Sequence, residues 1–461
     1  MDVVKKLWGF CNTLRDEGIN YGQYIEQLTY LLFLKIADEK NLEIPQKYNW
    51  KSLTNKTGTE LLEHYQTCLR KLGKSGGILT DIFAGSLSQF RDPVNLKKLI
   101  DMIDEIRWST IDVDIKGEAY EGLLQKYAEE QKGAGQYFTP RPLIRAIVQC
   151  IAPDIKKKET INDPAMGTGG FLLGALEYIL KQTNEAADLT REENQFLLKK
   201  MFSGNEIVME TKRLALMNMF LHGIQAEIYY GDSLAEGPHT GKKHNIIMTN
   251  PPFGIKSGGN HVTRSDFSVT SSNKQLNFVQ HVMSNLLPNG KAAMVVPDNV
   301  LFDSGAGTRI RKILLEDFAL HTILRLPVGT FTPYAAGVKA NVIFFSKTGP
   351  TKETWIYDLR TNIEKIAKKR KLTEADFQDF VSLYKNRKET ERFRKYTLNY
   401  IKDRNYNLDI FELKDDSLGD GTYPEPSVIL DSIQASGALI VGYAKDIQDE
   451  IEKEFKGDVE G

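Results

Sequence analysis

Two hydrophobic periodicities divide the chain. Up to about residue 110, apolar residues recur at three- and four-residue spacing, which is the period of an amphipathic α-helix. Strand patterns are scarce in this part, so we predict an all-helical amino-terminal domain over residues 1–115. Its predicted helices lie at 3–14, 24–38, 61–72 and 94–106.

Between residues 116 and 350, short β-rich runs alternate with helical runs. This alternation is typical of βαβ units, so we predict one doubly wound α/β domain with a largely parallel sheet of about seven strands. The predicted strands lie at 160–163, 201–206, 228–232, 245–250, 292–297, 322–326 and 341–345. The helices predicted between them lie at 142–151, 171–181, 209–222, 274–287 and 308–316.

Residues 351–461 form a charge-dense region that we predict to be mainly helical. The pattern at 444–455 predicts a short amphipathic helix, which either docks on a partner or packs on its own domain. The basic run at 368–371 either touches phosphates or forms a solvated helix face, and the second interpretation is favoured.

Composition and charge exclude several classes of protein. The 461 residues carry 60 Lys and Arg against 61 Asp and Glu, so nucleic-acid binding would need a local basic surface. No apolar run approaches the roughly 18–20 residues that cross a bilayer, and the first residues lack the pattern of a secretory signal. Three widely spaced cysteines suit reduced thiols, so we expect a cytoplasmic protein with no membrane contact.

Neither a metal site nor an ATP-binding loop is predicted. The seven histidines are dispersed, and none has the spacing of a zinc-ligand motif. The nearest approach to a phosphate-binding loop, at 237–243, has the wrong spacing and no hydroxyl after its lysine.

Acidic residues end three successive predicted strands, where ligands of open α/β sheets bind. Asp163 leads into the glycine-containing turn P-A-M-G-T-G-G at 164–170. Glu206 ends the second strand and is suited to accept hydrogen bonds from two ribose hydroxyls, and Asp232, followed by Ser233, is suited to an adenine amine. One such acid alone is more often a turn or helix cap, but three in succession indicate a nucleoside site.

The fourth predicted strand ends in Asn250-Pro251-Pro252-Phe253. Because the prolines fix the backbone and remove donors, the Asn250 side chain and the Pro251 carbonyl are placed to accept both hydrogens of one NH2 group. Phe253 is suited to stack on a flat base, a contact worth about 1–3 kcal/mol. A rigid turn would explain N-P-P alone, but the adjacent Phe and the upstream nucleoside site favour base binding.

These motifs together resemble a known family. The stretch G-A-G-Q-Y-F-T-P at 133–140, the turn at 163–171 and N-P-P-F at 250–253 are similar to the motifs of S-adenosylmethionine-dependent adenine-N6 DNA methyltransferases. Their order resembles the modification subunit of a type I restriction-modification system. The resemblance extends from the helical start at 24–35 to R-N-Y-N-L-D-I at 404–410, and the segment at 133–140 discriminates best because other methyltransferases share N-P-P-F.

The resemblance implies a Rossmann-like methyltransferase fold and a role for each matching residue. Asn250, Pro251, Pro252 and Phe253 would hold the target adenine. The residues implied to bind S-adenosylmethionine are Gln136, Tyr137, Phe138, Thr139, Pro140, Arg141, Asp163, Gly167, Thr168, Gly169, Gly170, Glu206, Asp232 and Ser233. The family often has an acid at the head of the fourth strand, where this chain has Lys243-His244-Asn245, which puts one structural contact in doubt.

The expected reaction is in-line methyl transfer to the N6 lone pair of an adenine flipped out of double-stranded DNA, with no metal and no covalent intermediate. The region after 350 is too short and irregular for a base-reading domain, so we expect another chain to supply sequence specificity. The resemblance implies a specificity subunit bound by two modification subunits, joined by a restriction subunit, in a prokaryotic cytoplasm. Two alternatives remain: methylation of RNA or of protein glutamine, and a non-catalytic DNA-binding assembly subunit.

Overall fold

The computed structural model describes residues 18–108, 120, 122, 124, 139–237, 239–253, 264–332, 337–364, 366, 370–413, 427, 430, 434 and 437. Several predictions therefore lie outside the described residues: the helices at 3–14 and 444–455, Lys368, Lys369, and the proposed cofactor residues Gln136, Tyr137 and Phe138. The chain forms two units, Met1–Leu413 and Lys414–Gly461. The four described residues of the second unit are helical and exposed.

Five helices lie between residues 18 and 108 of the described chain, and the predicted helices within this range are confirmed. Asn20 begins the first one with a capping box, in which its side chain and that of Gln23 accept from each other's backbone N–H groups. Apolar residues on one face of each helix pack into a shared core. The helices are α1 Tyr21–Glu39, α2 Trp50–Thr54, α3 Gly58–Leu72, α4 Gly77–Phe83 and α5 Pro93–Asp104.

The following part is an α/β fold with helices on both faces of one sheet. Helices α6 and α7 pack on one face, and α10 and α12 pack on the other. The helices are α6 Arg141–Ile151, α7 Gly170–Gln182, α8 Arg191–Lys199, α9 Met209–Leu221, α10 Lys274–Asn285, α11 Asn299–Phe302, α12 Ala306–Glu316, α13 Gln378–Lys385 and α14 Leu398–Asp403.

Nine described strands form a single sheet in the order β3-β2-β1-β4-β5-β7-β6-β8-β9. Strands β1 to β5 are mutually parallel, β7 is antiparallel to β5 and β6, and β9 is antiparallel to β8. The chain runs outward from β1 to β3 and returns to β4, so the strand order reverses between β1 and β4. The strands are β1 Ile161–Asp163, β2 Phe202–Glu206, β3 Glu227–Tyr230, β4 His244–Thr249, β5 Leu286–Pro297, β6 Ala319–Arg325, β7 Ala340–Ser346, β8 Glu353–Asp358 and β9 Phe393–Thr397.

The predicted fold class and all seven predicted strands are confirmed, but the sheet has two further strands. Strand β8 pairs in parallel with β6, and β9 closes the edge against β8. The region after residue 350 is therefore not mainly helical as far as Thr397. Strand β9 carries exposed Arg394 and Lys395, and charged side chains of this kind are typical of an edge strand. The division of the chain at 115 and 350 stays a prediction.

Helix α9 belongs to both cores. Its Leu214, Met217 and Leu221 pack with the amino-terminal helices, whereas Ala215 and Met219 pack against the sheet. The helical part and the sheet thus share one buried element. Within the described ranges, every helix is too short or too polar to span a membrane.

Candidate active site

The loops that follow β1 and β4 meet where the strand order reverses, and a buried hydrogen bond joins them. The hydroxyl of Thr249, the last residue of β4, donates to Asp163 Oδ1 at the end of β1 over 2.7 Å. The backbone N–H of Ala165 donates to the same oxygen over 3.1 Å. Asp163 is 1% exposed, so it lies beneath the glycine turn and braces the two loops against each other.

The environment of Asp163 favours its protonated form. Burial raises its pKa to about 7, and the nearby carboxylate of Glu206 acts in the same direction. The hydrogen bonds from Thr249 and Ala165 oppose the shift without cancelling it. The charge of Asp163 therefore changes near neutral pH.

The glycine turn after β1 combines open space with close packing. Gly167 has φ +54° and nothing lies within 4 Å of the place where a Cβ would stand. Gly169 has φ +87°, and a Cβ there would lie 2.5 Å from the methyl carbon of Met219 on α9. The side-chain amide of Asn218, also on α9, donates to the carbonyl of Thr168 over 3.0 Å. Helix α9 therefore holds the turn in place while one side of it stays open.

Glu206 closes β2 beside this turn. Its two carboxylate oxygens accept from the backbone N–H groups of Gly167 over 3.1 Å and Val208 over 2.8 Å. Burial raises its pKa despite these bonds. Each oxygen retains acceptor capacity for further donors. Ile207, the next residue, is 58% exposed. The sequence analysis did not select it as a site residue, although it directly follows a strand-end acid.

The side chains of Asp232 and Ser233, just after β3, both have hydrogen-bond partners within the chain. Asp232 Oδ1 accepts from the backbone N–H of Leu234 over 2.9 Å, as in a turn. The hydroxyl of Ser233 is buried and donates to the carbonyl of Pro164, on the loop after β1, over 2.5 Å. Ser233 thus ties the β3 loop to the β1 loop with its side chain.

Asn250 lies directly after β4. Of its side-chain amide, only the nitrogen has a hydrogen-bond partner in the described part of the chain. Its Nδ2 donates to the Thr139 hydroxyl over 3.0 Å, which brings two predicted site segments together. Its Oδ1 is buried and has no hydrogen-bond partner in the described part of the chain. A buried acceptor without a partner is costly, so this oxygen is poised to accept from a donor that enters the site.

The rest of the N-P-P-F loop presents one aromatic ring. Pro251 is buried, Pro252 is exposed and Phe253 is half-buried. The ring of Phe253 meets the buried ring of Phe331 edge-on, with the ring centres 6.2 Å apart. Such an arrangement fixes the orientation of Phe253. Phe331 was not found from the sequence because its contact depends on the tertiary fold.

The described end of the 133–141 segment lies at the start of α6. Pro140 precedes the helix, and Arg141 forms an ion pair with Glu177 on α7 at 3.5 Å.

Asn245, at the position where the family often has an acid, accepts from the backbone N–H and the hydroxyl of Thr160. Asn245 therefore makes a structural contact between the starts of β1 and β4.

Side chains in this region fit a nucleoside cofactor. The space beside Gly167 admits a ligand, the Glu206 carboxylate has acceptor capacity left, and the exposed Ile207 offers an apolar surface. The unpartnered Asn250 oxygen lies directly after β4, which pairs with β1. A second ligand bound there would lie next to one bound at the glycine turn after β1. The geometry thus suits two ligands that meet across the reversal point of the sheet.

Comparison with known proteins agrees with this geometry. Residues 111–416 match the family model described as N-6 DNA Methylase, and residues 3–43 match the HsdM N-terminal domain. In an alignment that extends over 498 residues including gaps, the chain is 40% identical to the StySPI methylase subunit of a type I restriction enzyme from Salmonella potsdam. It is 39% identical to the EcoKI methylase subunit of Escherichia coli strain K12, and each alignment covers 95% of this chain and 93% of the relative.

A solved structure extends this agreement to the whole chain. A chain from work on complex assembly and conformational transition of the type I restriction-modification system superposes with a TM-score of 0.77. Sequence identity is 29%, and the superposition covers 98% of both chains. The chain therefore belongs to the N-6 DNA methylase family, as a type I modification subunit, and is an S-adenosylmethionine-dependent, adenine-specific DNA methyltransferase.

Proposed function

We propose that this chain methylates the N6 amine of an adenine that has been flipped out of duplex DNA, and that Asn250 holds this amine. The observation that carries the proposal is the buried, unpartnered Oδ1 of Asn250, directly after β4. An adenine amine offers two N–H donors, which match this oxygen and the carbonyl of Pro251. The Thr139 hydroxyl accepts from the amide of Asn250 and thereby keeps Oδ1 directed away from Thr139.

The side chains of this site act by alignment and by stabilising charge. S-adenosylmethionine supplies an activated methyl group when it is bound. Asn250 and the Pro251 carbonyl stabilise the positive charge that grows on the amine nitrogen as it becomes tetrahedral, and the methylated nitrogen then loses one proton to water. Phe253, which contacts Phe331, stacks on the base. Alignment of reacting atoms can supply about 7–11 kcal/mol of a rate enhancement.

We assign cofactor contacts to the loops after β1, β2 and β3. Glu206 accepts from the ribose hydroxyls, and Ile207 and Asp232 meet the adenine of the cofactor. The methionine end lies along the glycine turn at 167–170, and Gln136, Tyr137 and Phe138 stay contacts to it that are predicted from the sequence alone. Asp163 holds the end of β1 to the end of β4 through Thr249, and Ser233 holds the loop after β3 to the loop after β1 through Pro164.

We further propose that sequence specificity comes from a separate specificity subunit. Two copies of this chain would bind one such subunit, with a restriction subunit completing the assembly in a prokaryotic cytoplasm. The relatives with 39–40% identity are methylase subunits of type I restriction enzymes, which supports a multi-subunit setting.

The decisive experiment compares wild type with Asn250→Ala. Both proteins are mixed with the cognate specificity subunit, and transfer of tritiated methyl to adenine is followed in unmethylated DNA. Loss of the group that stabilises charge on N6 should lower kcat roughly 100- to 1,000-fold. Binding of S-adenosylmethionine, measured by calorimetry, should stay within about twofold of wild type because Asn250 lies outside the three cofactor loops.

Three other outcomes would change the assignment. Unaltered transfer by Asn250→Ala would remove Asn250 from the reaction. Wild type that does not bind S-adenosylmethionine would favour a non-catalytic assembly subunit. Methyl transfer to RNA or protein in the absence of the specificity subunit would replace DNA as the substrate.

A further inference from the structure

Arg264 is a buried cation that contacts the loop after β3 and helix α10. It is the first described residue after Phe253, and its side chain is 0% exposed. Its Nε and Nη2 donate to the two carboxylate oxygens of Asp266 over 2.9 and 2.6 Å. Its Nη1 donates to the carbonyl of Ser233 over 2.7 Å and to Nδ1 of His281 over 2.5 Å. One guanidinium thus reaches three separate parts of the fold.

The contact with Ser233 extends this network to the glycine turn. The Ser233 carbonyl accepts from Arg264, and its hydroxyl donates to Pro164 on the loop after β1. His239 Nε2 donates to the same carbonyl over 3.1 Å. The Arg264 cation is therefore two hydrogen bonds away from the loop that carries Gly167. Helix α10 and the loops after β1 and β3 share one anchor.

The charges in this network are balanced at neutral pH. Burial opposes ionisation of Asp266, but bonds from Arg264 and Ser284 outweigh it and lower the pKa of Asp266 to about 2. Burial and the neighbouring Arg264 hold the pKa of His281 well below its ordinary value, so the imidazole is neutral and its Nδ1 can accept. A buried cation is retained at low cost only when it is paired and hydrogen-bonded in this way.

Packing alone does not require an arginine at this position. A buried ion pair rarely stabilises a fold more than apolar residues of similar volume do, but its fork geometry fixes the register of the parts that it joins. The parts joined here are the loop after β3 and helix α10. A shift of this loop would move the cofactor relative to the target base, and alignment of reacting atoms is sensitive to shifts of about 1 Å.

We propose that Arg264 is a positioning residue for methyl transfer, which keeps the loops after β1 and β3 in register with helix α10. The inference rests on the proposed function, because it takes those loops as the cofactor site. Asp266 orients the guanidinium, and Ser233 passes its position to the glycine turn. Arg264 itself touches neither substrate, since it lies wholly inside the protein.

The test uses the full chain with Arg264→Lys, which keeps the charge but loses the bidentate fork. Methyl transfer is measured at saturating S-adenosylmethionine in the complex with the specificity subunit, and cofactor binding is measured by calorimetry. We expect kcat per cofactor-binding site to fall about 10- to 100-fold, because the reacting atoms lose alignment. The cofactor Kd should rise several-fold because the Ser233 contact weakens.

Two further variants separate positioning from stability. Asp266→Asn leaves Arg264 in place but removes the carboxylate that orients it, so kcat should fall by a smaller factor than in Arg264→Lys. If Arg264→Lys does not fold, Asp266→Asn tests the positioning role instead. Arg311→Lys is the matched control, because Arg311 is equally buried and bonded to the carbonyls of Tyr406 and Val300. It should lower thermal stability while kcat per site and Kd stay at wild-type values.

The outcomes distinguish this inference from the proposed function. Wild-type kcat per site and wild-type Kd in both Arg264→Lys and Asp266→Asn would overturn the inference and leave the proposed function standing. Wild type that neither binds S-adenosylmethionine nor transfers methyl would overturn both. A fall in kcat for Arg264→Lys and Asp266→Asn, with Arg311→Lys unaffected, would establish the positioning role.

Discussion

At the scale of single residues, Asp163 links the candidate site to pH. Its pKa is raised to about 7 in the folded chain by burial, whereas an exposed aspartate in the unfolded chain titrates near about 4. The unfolded state therefore releases its proton first as pH rises. This group's contribution to stability is fully present below about pH 4 and is lost as pH rises to about 7.

Replacing Asp163 with Asn should remove this pH dependence. The Asn side chain keeps an oxygen to accept from Thr249 and Ala165, but it cannot ionise. The free energy of unfolding of Asp163→Asn should therefore increase relative to wild type between pH 4 and pH 7, and the difference should level off above pH 7. Urea denaturation at a series of pH values measures it, with the exposed Asp317→Asn as control. Parallel pH profiles for wild type and Asp163→Asn would contradict the assignment.

At the scale of one structural element, substitutions in the glycine turn after β1 can distinguish the effect of backbone strain from the effect of filling the space for a ligand. An Ala at Gly167 costs about 1–2 kcal/mol because φ is positive, and its Cβ meets no protein atom. We expect its Cβ to enter the cofactor space, so the Kd for S-adenosylmethionine should rise roughly tenfold or more, as overpacking costs 1–3 kcal/mol.

Gly223, just after α9, offers the matched control for this variant. It has φ +77° and equally free surroundings, so Gly223→Ala carries the same strain away from the turn. Thermal unfolding and calorimetry on both variants separate the two effects. Equal cofactor affinity in Gly167→Ala and Gly223→Ala would show that the open side of the turn is not the cofactor position.

At the scale of the whole molecule, helix α9 should make the amino-terminal helices and the sheet unfold together. Arg213 on α9 is buried, forms an ion pair with Glu26 of α1 at 2.6 Å and donates to the carbonyl of Ala84. Residues of α9 also lie in both hydrophobic cores. Breaking a buried pair of this kind costs about 3–5 kcal/mol.

Single-tryptophan proteins can test this coupling. One retains Trp50 in the helical part and the other Trp355 in β8, with the remaining tryptophans replaced by Phe. Urea titrations should give one shared midpoint for both reporters, and Arg213→Met should lower both midpoints equally. Two separate midpoints, or a shift of the Trp50 signal alone, would show that the parts unfold independently.

Much of this architecture was predictable because it depends on local pattern. Strand periodicity placed Asp163, Glu206 and Asn250 at strand ends, and parallel pairing then brought those ends to one edge. Strands β8 and β9 were missed because both lie in the charge-dense region after residue 350, and their pairing partners are distant in sequence. The role of Arg264 could not be read from sequence either, since its contacts reach residues 31 and 17 positions away.

The role proposed for Asn250, whose amide oxygen has no partner in the described chain, implies which bases the enzyme rejects. Hypoxanthine has the size and ring system of adenine but carries an oxygen in place of the exocyclic amine. Within the pocket that oxygen would face the Asn250 acceptor, and neither group would have a proton to share. Sites built to bind a particular donor reject analogues without it by about 10⁴- to 10⁵-fold. Deaminated adenines in the target sequence would therefore act as neither substrates nor effective competitors.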